Sequence, residues 1–212
     1  ATNGIGKETA RVLALRGAKI ADQVLGSNLH VMEMYLSSLS SVRNFVQSFT
    51  SSHEHLNILI NNAGIVACPY ELSEDGIELQ FAMNHVGQPF LTSLLLDKMK
   101  STARETGVQG RIITLSSVAH KRCDGACFEL NKLNDKARYN PLISYSHSKL
   151  ANILHANELS RRFQEEGCNL TLNSRQPGVI FTNNIRYIVG NSNNFASSST
   201  QEISEKTLLI IV

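Results

Sequence analysis

Leu56-Asn57-Ile58-Leu59-Ile60-Asn61-Asn62-Ala63-Gly64 is the stretch from which the fold is best read. A short apolar run that stops at small and amide residues is the pattern of a strand buried on both faces and ended by a tight turn. On its C-terminal side, Ser73–Gln88 and Pro89–Lys100 carry helical periodicity, with Pro89 as a candidate bend. Arg111–Leu115 is a second apolar strand and runs into Ser116-Ser117. The polar stretch from His120 to Asn140 has no clear period and reads as a loop with short elements. Ser144–Glu166 then reads as a helix, and Leu170–Ser174 as a strand that ends at Pro177-Gly178. On the N-terminal side, Ser40–Phe49 reads as a helix and Leu29–Leu36 alternates like a strand. Lys19-Ile20 begins a strand that stops at once, and Gly4 and Gly6 open a helical pattern for which Gly17 fits a C-cap.

Alternating strands and helices of this kind build an α/β domain with a doubly wound parallel sheet in three layers. Leu56–Ile60, Arg111–Leu115 and Leu170–Ser174 are expected as adjacent parallel strands. Ligands in such folds bind at the carboxyl ends of the strands, which here are Asn61–Gly64, Ser116-Ser117 and Pro177-Gly178. The domain is expected over residues 1–190. Residues 191–212 are Asn- and Ser-rich and read as a divergent tail, with an apolar end of helical or strand character.

Composition narrows the function classes. Among 212 residues, 42% are hydrophobic and 18% charged, which suits a packed core. The net charge is only +2 and the basic residues are scattered among acids, so no nucleic-acid partner is expected. Lys121-Arg122 and Arg161-Arg162 are isolated basic pairs. Cys68, Cys123, Cys127 and Cys168 lack the spacing of a zinc site, so free thiols and no metal are expected. No apolar run is long enough to span a membrane, and the first residues lack a signal-peptide pattern.

The strongest chemical signal is Tyr145-Ser146-His147-Ser148-Lys149. Residues four apart share one face of a helix. A free phenol, with a pKa near 10, is a poor base at neutral pH, and a neighbouring ammonium favours the phenolate. Taken alone, the spacing also describes an ordinary surface pair. Ser117, just past a strand, is placed to bond a substrate oxygen. Asn84 reads either as a helix-surface amide or as a buried amide in a proton path. Gly4-Ile5-Gly6 ahead of a helix offers backbone N–H groups to a phosphate.

Together these pieces resemble the short-chain dehydrogenase/reductase superfamily, whose fold is Rossmann-like. They are Asn3-Gly4-Ile5-Gly6, Asn61-Asn62-Ala63-Gly64, Asn84, Ser116-Ser117, Tyr145 to Lys149, and Pro177-Gly178 followed by Thr182. They occur in the family's order. Arg11–Gly17, Leu56–Ile65 and Ser148–Leu159 resemble more closely the plant group related to retinol dehydrogenases, which includes a dehydrogenase of the chloroplast inner-envelope import machinery.

The resemblance implies a nicotinamide cofactor, NADP(H) or NAD(H), and an apolar alcohol or carbonyl substrate. It makes Tyr145 the general acid/base. Lys149 lowers its pKa and bonds the nicotinamide ribose, Ser117 orients the substrate oxygen, and Asn84 maintains a relay water. Gly4, Ile5 and Gly6 receive the phosphates, and Asn61, Ala63 and Gly64 line the adenine-ribose side. Pro177, Gly178, Val179 and Thr182 embrace the nicotinamide and its phosphate. A homodimer or protein complex, and a chloroplast or cytoplasmic location, go with the same likeness.

The sequence departs from the family at four places. No strand precedes Ala1, so the sheet is expected to be incomplete at its first and second strands. Only eight residues separate Ile20 from Leu29, where members carry the rest of the second strand and a helix. Tyr35 stands where members have an adenine-contacting aspartate, and Thr207–Val212 leaves the pattern. Two readings follow: an NADP-dependent oxidoreductase whose truncated form is weakly active or inactive, or a non-catalytic relative acting as a protein-interaction module.

Overall fold

A computed structural model describes residues 4–16, 32–123, 129–178 and 209–211. Three parallel strands form the centre of the sheet: β1 (Ile58–Asn61), β2 (Gly110–Leu115) and β3 (Leu170–Arg175). The strand order is β3-β2-β1-β4, with Ile60 level with Ile113 and Ile113 level with Asn173. The three segments expected as adjacent parallel strands are therefore adjacent and parallel. The last strand, β4 (Leu209–Ile211), pairs antiparallel with β1. That flank of β1 is thus occupied by Leu209–Ile211.

Helices flank the sheet. α1 (Gly4–Leu15) opens the described chain, and α2 (Leu39–Ser52) leads towards β1. A single turn, α3 (Leu79–Phe81), passes through a π-turn (Ala82–Val86) into α4 (Gly87–Thr106). Between β2 and β3 lie a 3₁₀ turn (Val118–Arg122), the short α5 (Leu130–Leu133), a second 3₁₀ turn (Lys136–Arg138) and the long α6 (Pro141–Glu165). α4 and α6 pack against the strands, and α2 packs on α4. The core fills with Phe49, Leu56, Leu59, Leu91, Leu95, Met99 and Ile112, all fully buried.

Local chemistry explains where elements start and stop. Asn140 caps α6 by accepting from the Leu142 and Ile143 N–H groups, and Pro141 takes a first-turn position where its missing N–H costs nothing. Gly107 ends α4 in the left-handed conformation, at φ 70°.

Two expectations fail. The helix expected from Ser73 begins only at Leu79, because Gly76 turns the chain at φ 72° and the Glu78 carboxylate caps the Gln80 and Phe81 N–H groups. The strand expected over Leu29–Leu36 is absent from its described part. Residues 32–34 are irregular, and Tyr35 makes only a bridge before a turn. The reason is a run of serines. Ser41 Oγ takes the Tyr35 N–H at 3.0 Å, the Tyr35 carbonyl accepts from Ser38 N, and Ser38 caps α2. Serine hydroxyls thus offer the backbone a turn in place of a sheet ladder.

Among the described residues no helix is long and apolar enough to cross a membrane, and no cluster of His, Cys, Asp and Glu is placed to hold a metal ion. Gly17, Lys19-Ile20, Cys127, Val179, Thr182 and most of the expected tail lie outside the described residues.

Candidate active site

The site lies where β2 ends beside α6. Past Leu115, Ser116 turns inward and its hydroxyl donates to the Lys149 carbonyl at 2.8 Å. Ser117 is extended, at φ −151° and ψ 155°, and its Oγ accepts the Ala119 N–H at 3.3 Å. The Ser117 hydroxyl is left to donate, and its partner is the Tyr145 phenol. Tyr145 and Lys149 stand one turn apart on α6, and the Lys149 Nζ lies 5.6 Å from the centroid of the Tyr145 ring. Ser117, Tyr145 and Lys149 are therefore brought together at a strand carboxyl end.

Asn84 joins them from the π-turn. It is fully buried, not a surface amide. Its Oδ1 accepts the Ile65 N–H at 2.8 Å, and its Nδ2 donates to the Ile65 carbonyl at 2.8 Å and to Ser148 Oγ at 3.1 Å. The amide therefore pins the loop after β1 to α6. Gly64 allows the close approach: a Cβ there would lie 2.9 Å from Asn84 Oδ1 and 3.5 Å from Lys149 Nζ.

Burial dominates the electrostatics. The Lys149 ammonium, 4% exposed, donates to the Leu115 carbonyl at 3.0 Å, and burial pulls its pKa down to about 8. Burial pushes the Tyr145 phenol above its ordinary value, and the bond from Ser117 opposes the rise. Lys149, which the family resemblance expects to hold the phenol down, is not among the causes of this direction. Here the ammonium faces the ring and the Leu115 carbonyl.

The remaining candidates divide. Asn61 is buried, and its Nδ2 donates to Thr92 Oγ1 at 3.0 Å and Thr114 Oγ1 at 3.3 Å, so its amide braces β1 against α4 and β2. The Ala63 carbonyl accepts from Gln88 Nε2 at 2.6 Å. Gly4, Ile5 and Gly6 form the first turn of α1, with Gly6 buried and Ile5 half-buried. Pro177 and Gly178 are exposed just past β3, and Gly178 has φ 87°.

The sequence reading missed a buried polar seam between α3, the π-turn and α6. Glu78 accepts from Ser144 Oγ at 2.5 Å, and Gln80 Nε2 donates to the Pro141 carbonyl at 3.0 Å and to Tyr139 at 2.7 Å. It also missed Asn152, fully buried one turn beyond Lys149. The spacing Tyr145, Lys149, Asn152 follows one helix face, so a polar stripe at that period was the available signal.

The model of the short chain dehydrogenase family matches residues 1–127, which include Asn84, Ser117 and the glycine and Asn-Asn-Ala-Gly turns. The chain belongs to the short-chain dehydrogenase family. Short-chain dehydrogenase TIC 32 A, chloroplastic, from Brassica napus is 49% identical over 203 residues, which are 88% of this chain and 63% of that protein. Human retinol dehydrogenase 13 is 38% identical over 217 residues, 94% of this chain and 62% of that protein. This family member thus spans somewhat less than two thirds of these relatives' length. The crystal structure of an uncharacterised protein from Mycobacterium paratuberculosis matches at a TM-score of 0.67 and 38% identity, covering 81% of this chain and 63% of that one. A short-chain dehydrogenase/reductase from Burkholderia phymatum, solved in complex with NAD, shares the fold at a TM-score of 0.58 and 15% identity, over 93% of this chain and 62% of that one.

Proposed function

We propose that this chain carries the reaction centre of an NADP(H)-dependent oxidoreductase that interconverts apolar alcohols and carbonyl compounds. The observation that supports it most is the Ser117–Tyr145 pair, held beside the buried ammonium of Lys149. The donor set fits a nicotinamide nucleotide. Among the described residues the Lys149 ammonium has one hydrogen-bond acceptor, the Leu115 carbonyl, so it keeps N–H groups for ribose hydroxyls. The bound nicotinamide supplies or accepts the hydride.

In the reducing direction the Tyr145 hydroxyl gives its proton to the carbonyl oxygen, and Ser117 donates a second hydrogen bond to that oxygen. Burial keeps the phenol protonated at neutral pH, which suits a proton donor. Lys149, one turn away on α6, would support the phenolate left behind and hold the ribose of a bound nicotinamide nucleotide. The Asn84 carbonyl accepts one bond from Asn152 and has a second lone pair for a relay water.

Val118 beside Ser117, and Leu142 and Ile143 just ahead of Tyr145, are exposed apolar side chains flanking the reactive groups. They support an apolar substrate. A chloroplast rather than cytoplasmic location rests on the likeness to TIC 32 A, and NADP over NAD rests on the sequence resemblance to the retinol-dehydrogenase-like group.

The test is reduction of a panel of apolar and charged aldehydes and ketones with NADPH and NADH. It uses the chain extended by the strand and second-strand segment the family calls for. Tyr145→Phe is expected to cut turnover by about 10²-fold or more while NADPH still binds. Unchanged turnover in Tyr145→Phe, or turnover confined to charged substrates, overturns the proposal.

A further inference from the structure

α6 carries a third polar side chain on the face of Tyr145 and Lys149. Asn152 is fully buried and makes three hydrogen bonds, two to the π-turn and one to β2. Its Nδ2 donates to the Asn84 carbonyl in the π-turn at 2.9 Å and to the Leu115 carbonyl at the end of β2 at 3.2 Å. Its Oδ1 lies 2.9 Å from Nδ1 of His85. The Leu115 carbonyl is also the acceptor of the Lys149 ammonium, at 3.0 Å. One carbonyl oxygen therefore serves both Lys149 and Asn152.

This geometry fixes the amide's orientation. Backbone carbonyls only accept, so the amide nitrogen must face them and the amide oxygen must face His85. His85 must then carry its proton on Nδ1. A flipped amide would set its oxygen against two carbonyl oxygens in a buried site and take this donor from both. His85 packs against Phe81 and His155 and is held neutral by burial, with a pKa near 4 that the Asn152 bond partly opposes.

The two carbonyls come from the backbone that presents the site. Leu115 lies two residues before Ser117, and Asn84 is the residue whose side chain pins the loop at Gly64 and Ile65. We propose that Asn152 is a positioning residue of the reaction: locked by the Nδ1–H of His85, its amide holds the Leu115 and Asn84 carbonyls on α6 and so sets where the Lys149 ammonium points. The inference rests on the catalytic reading of Tyr145 and Lys149, but its test uses neither cofactor nor turnover.

The experiment follows the 212-residue chain by NMR, with labelled lysine and histidine side chains. In the wild type, His85 is expected as the Nδ1–H tautomer, and Lys149 is expected to titrate well below an ordinary lysine. Asn152→Leu removes the competing donor, leaving the Leu115 carbonyl to the ammonium alone. The Lys149 pKa is expected to rise by about half a unit or more, and His85 to move to the Nε2–H tautomer. A merely structural role would lower the melting temperature and leave the Lys149 titration where it was. His85→Phe keeps a ring beside Phe81 and frees the amide to rotate, so it serves where Asn152→Leu does not fold. It is expected to raise the Lys149 pKa in the same direction. A wild-type His85 protonated on Nε2, or a Lys149 titration unmoved in the variant that folds, overturns the proposal. Failure of the reductase reading would show in turnover alone and would leave both NMR signals in place.

Discussion

Lys149 is a buried cation whose main compensation is one carbonyl, and that sets a pH signature. Its folded pKa of about 8 lies below the value of about 10.4 in an unfolded chain. Between those values the unfolded state binds more protons, so stability rises with pH across that window. Below about pH 8 the cost of burying the charge is present in full. Lys149→Met is therefore expected to melt higher than wild type at pH 7 and to lose turnover. In this variant the Leu115 carbonyl keeps Asn152 as a donor, and the advantage should shrink as pH climbs from about 8 to about 10.5 and the wild-type ammonium loses its proton. Melting curves of the two proteins at several pH values check this, and a gap that widens with pH would reverse the assignment. At this scale Tyr145, Lys149 and Ser117 were legible, because helix spacing and a strand end place them whatever the packing. The burial of Asn84 was not. It depends on α6 lying over the π-turn, and a polar residue in a helix pattern carries no mark of what will cover it.

The elements show a similar division. β1, β2, β3 and α6 follow from apolar runs and caps within the sequence. The π-turn does not, since one extra residue in a helical turn leaves the apolar period almost unchanged. Its place is chemically reasonable: Pro89 has no N–H to continue the regular ladder, and the Gly87 N–H reaches back to the Ala82 carbonyl. Gly87 is also where α4 crosses the turn after Tyr35. A Cβ there would stand 2.4 Å from the Leu36 carbonyl oxygen, which is backbone and cannot swing aside. Gly87→Ala is expected to cost about 1–3 kcal/mol, a loss of several degrees in melting temperature. Gly110→Ala meets the end of the Leu170 side chain at 2.3 Å, which can change rotamer, so it is expected to cost less. Thermal melts of both variants rank them, and an equal or larger loss at Gly110 would show that the Leu36 turn is softer than its buried setting implies. The failed strand before Leu36 has a cause of the same kind, since the serine hydroxyls that accept the turn's N–H groups lie beyond the alternating run and leave its pattern unchanged.

At the scale of the whole molecule, the question is how the reaction centre acquires a cofactor. Hydride transfer requires the nicotinamide at near-contact geometry, and small misplacement is costly in rate. In doubly wound sheets much of that placement comes from a strand and glycine turn that hold the diphosphate at a helix start, beside the strand equivalent to β1. In this 212-residue polypeptide three residues precede Gly4, and eight lie between Ile20 and Leu29. The flank of β1 pairs instead with Leu209–Ile211 running antiparallel, its first residue level with Asn61. An antiparallel strand there runs away from the carboxyl edge, so its end cannot feed a phosphate-binding turn at that edge. In the reading proposed above, Tyr145 and Lys149 would meet the opposite end of the dinucleotide and could not replace its anchor. We therefore expect the 212-residue polypeptide to bind NADPH weakly and to turn over little, although its reactive groups are assembled. Fluorescence titration with NADPH, beside the chain extended at both segments, decides the point. Binding and carbonyl reduction in the extended chain alone would locate the deficit in the nucleotide scaffold. Micromolar NADPH binding with measurable reduction by the 212-residue polypeptide would show that β1, the Gly64 loop and Lys149 hold the cofactor well enough without it.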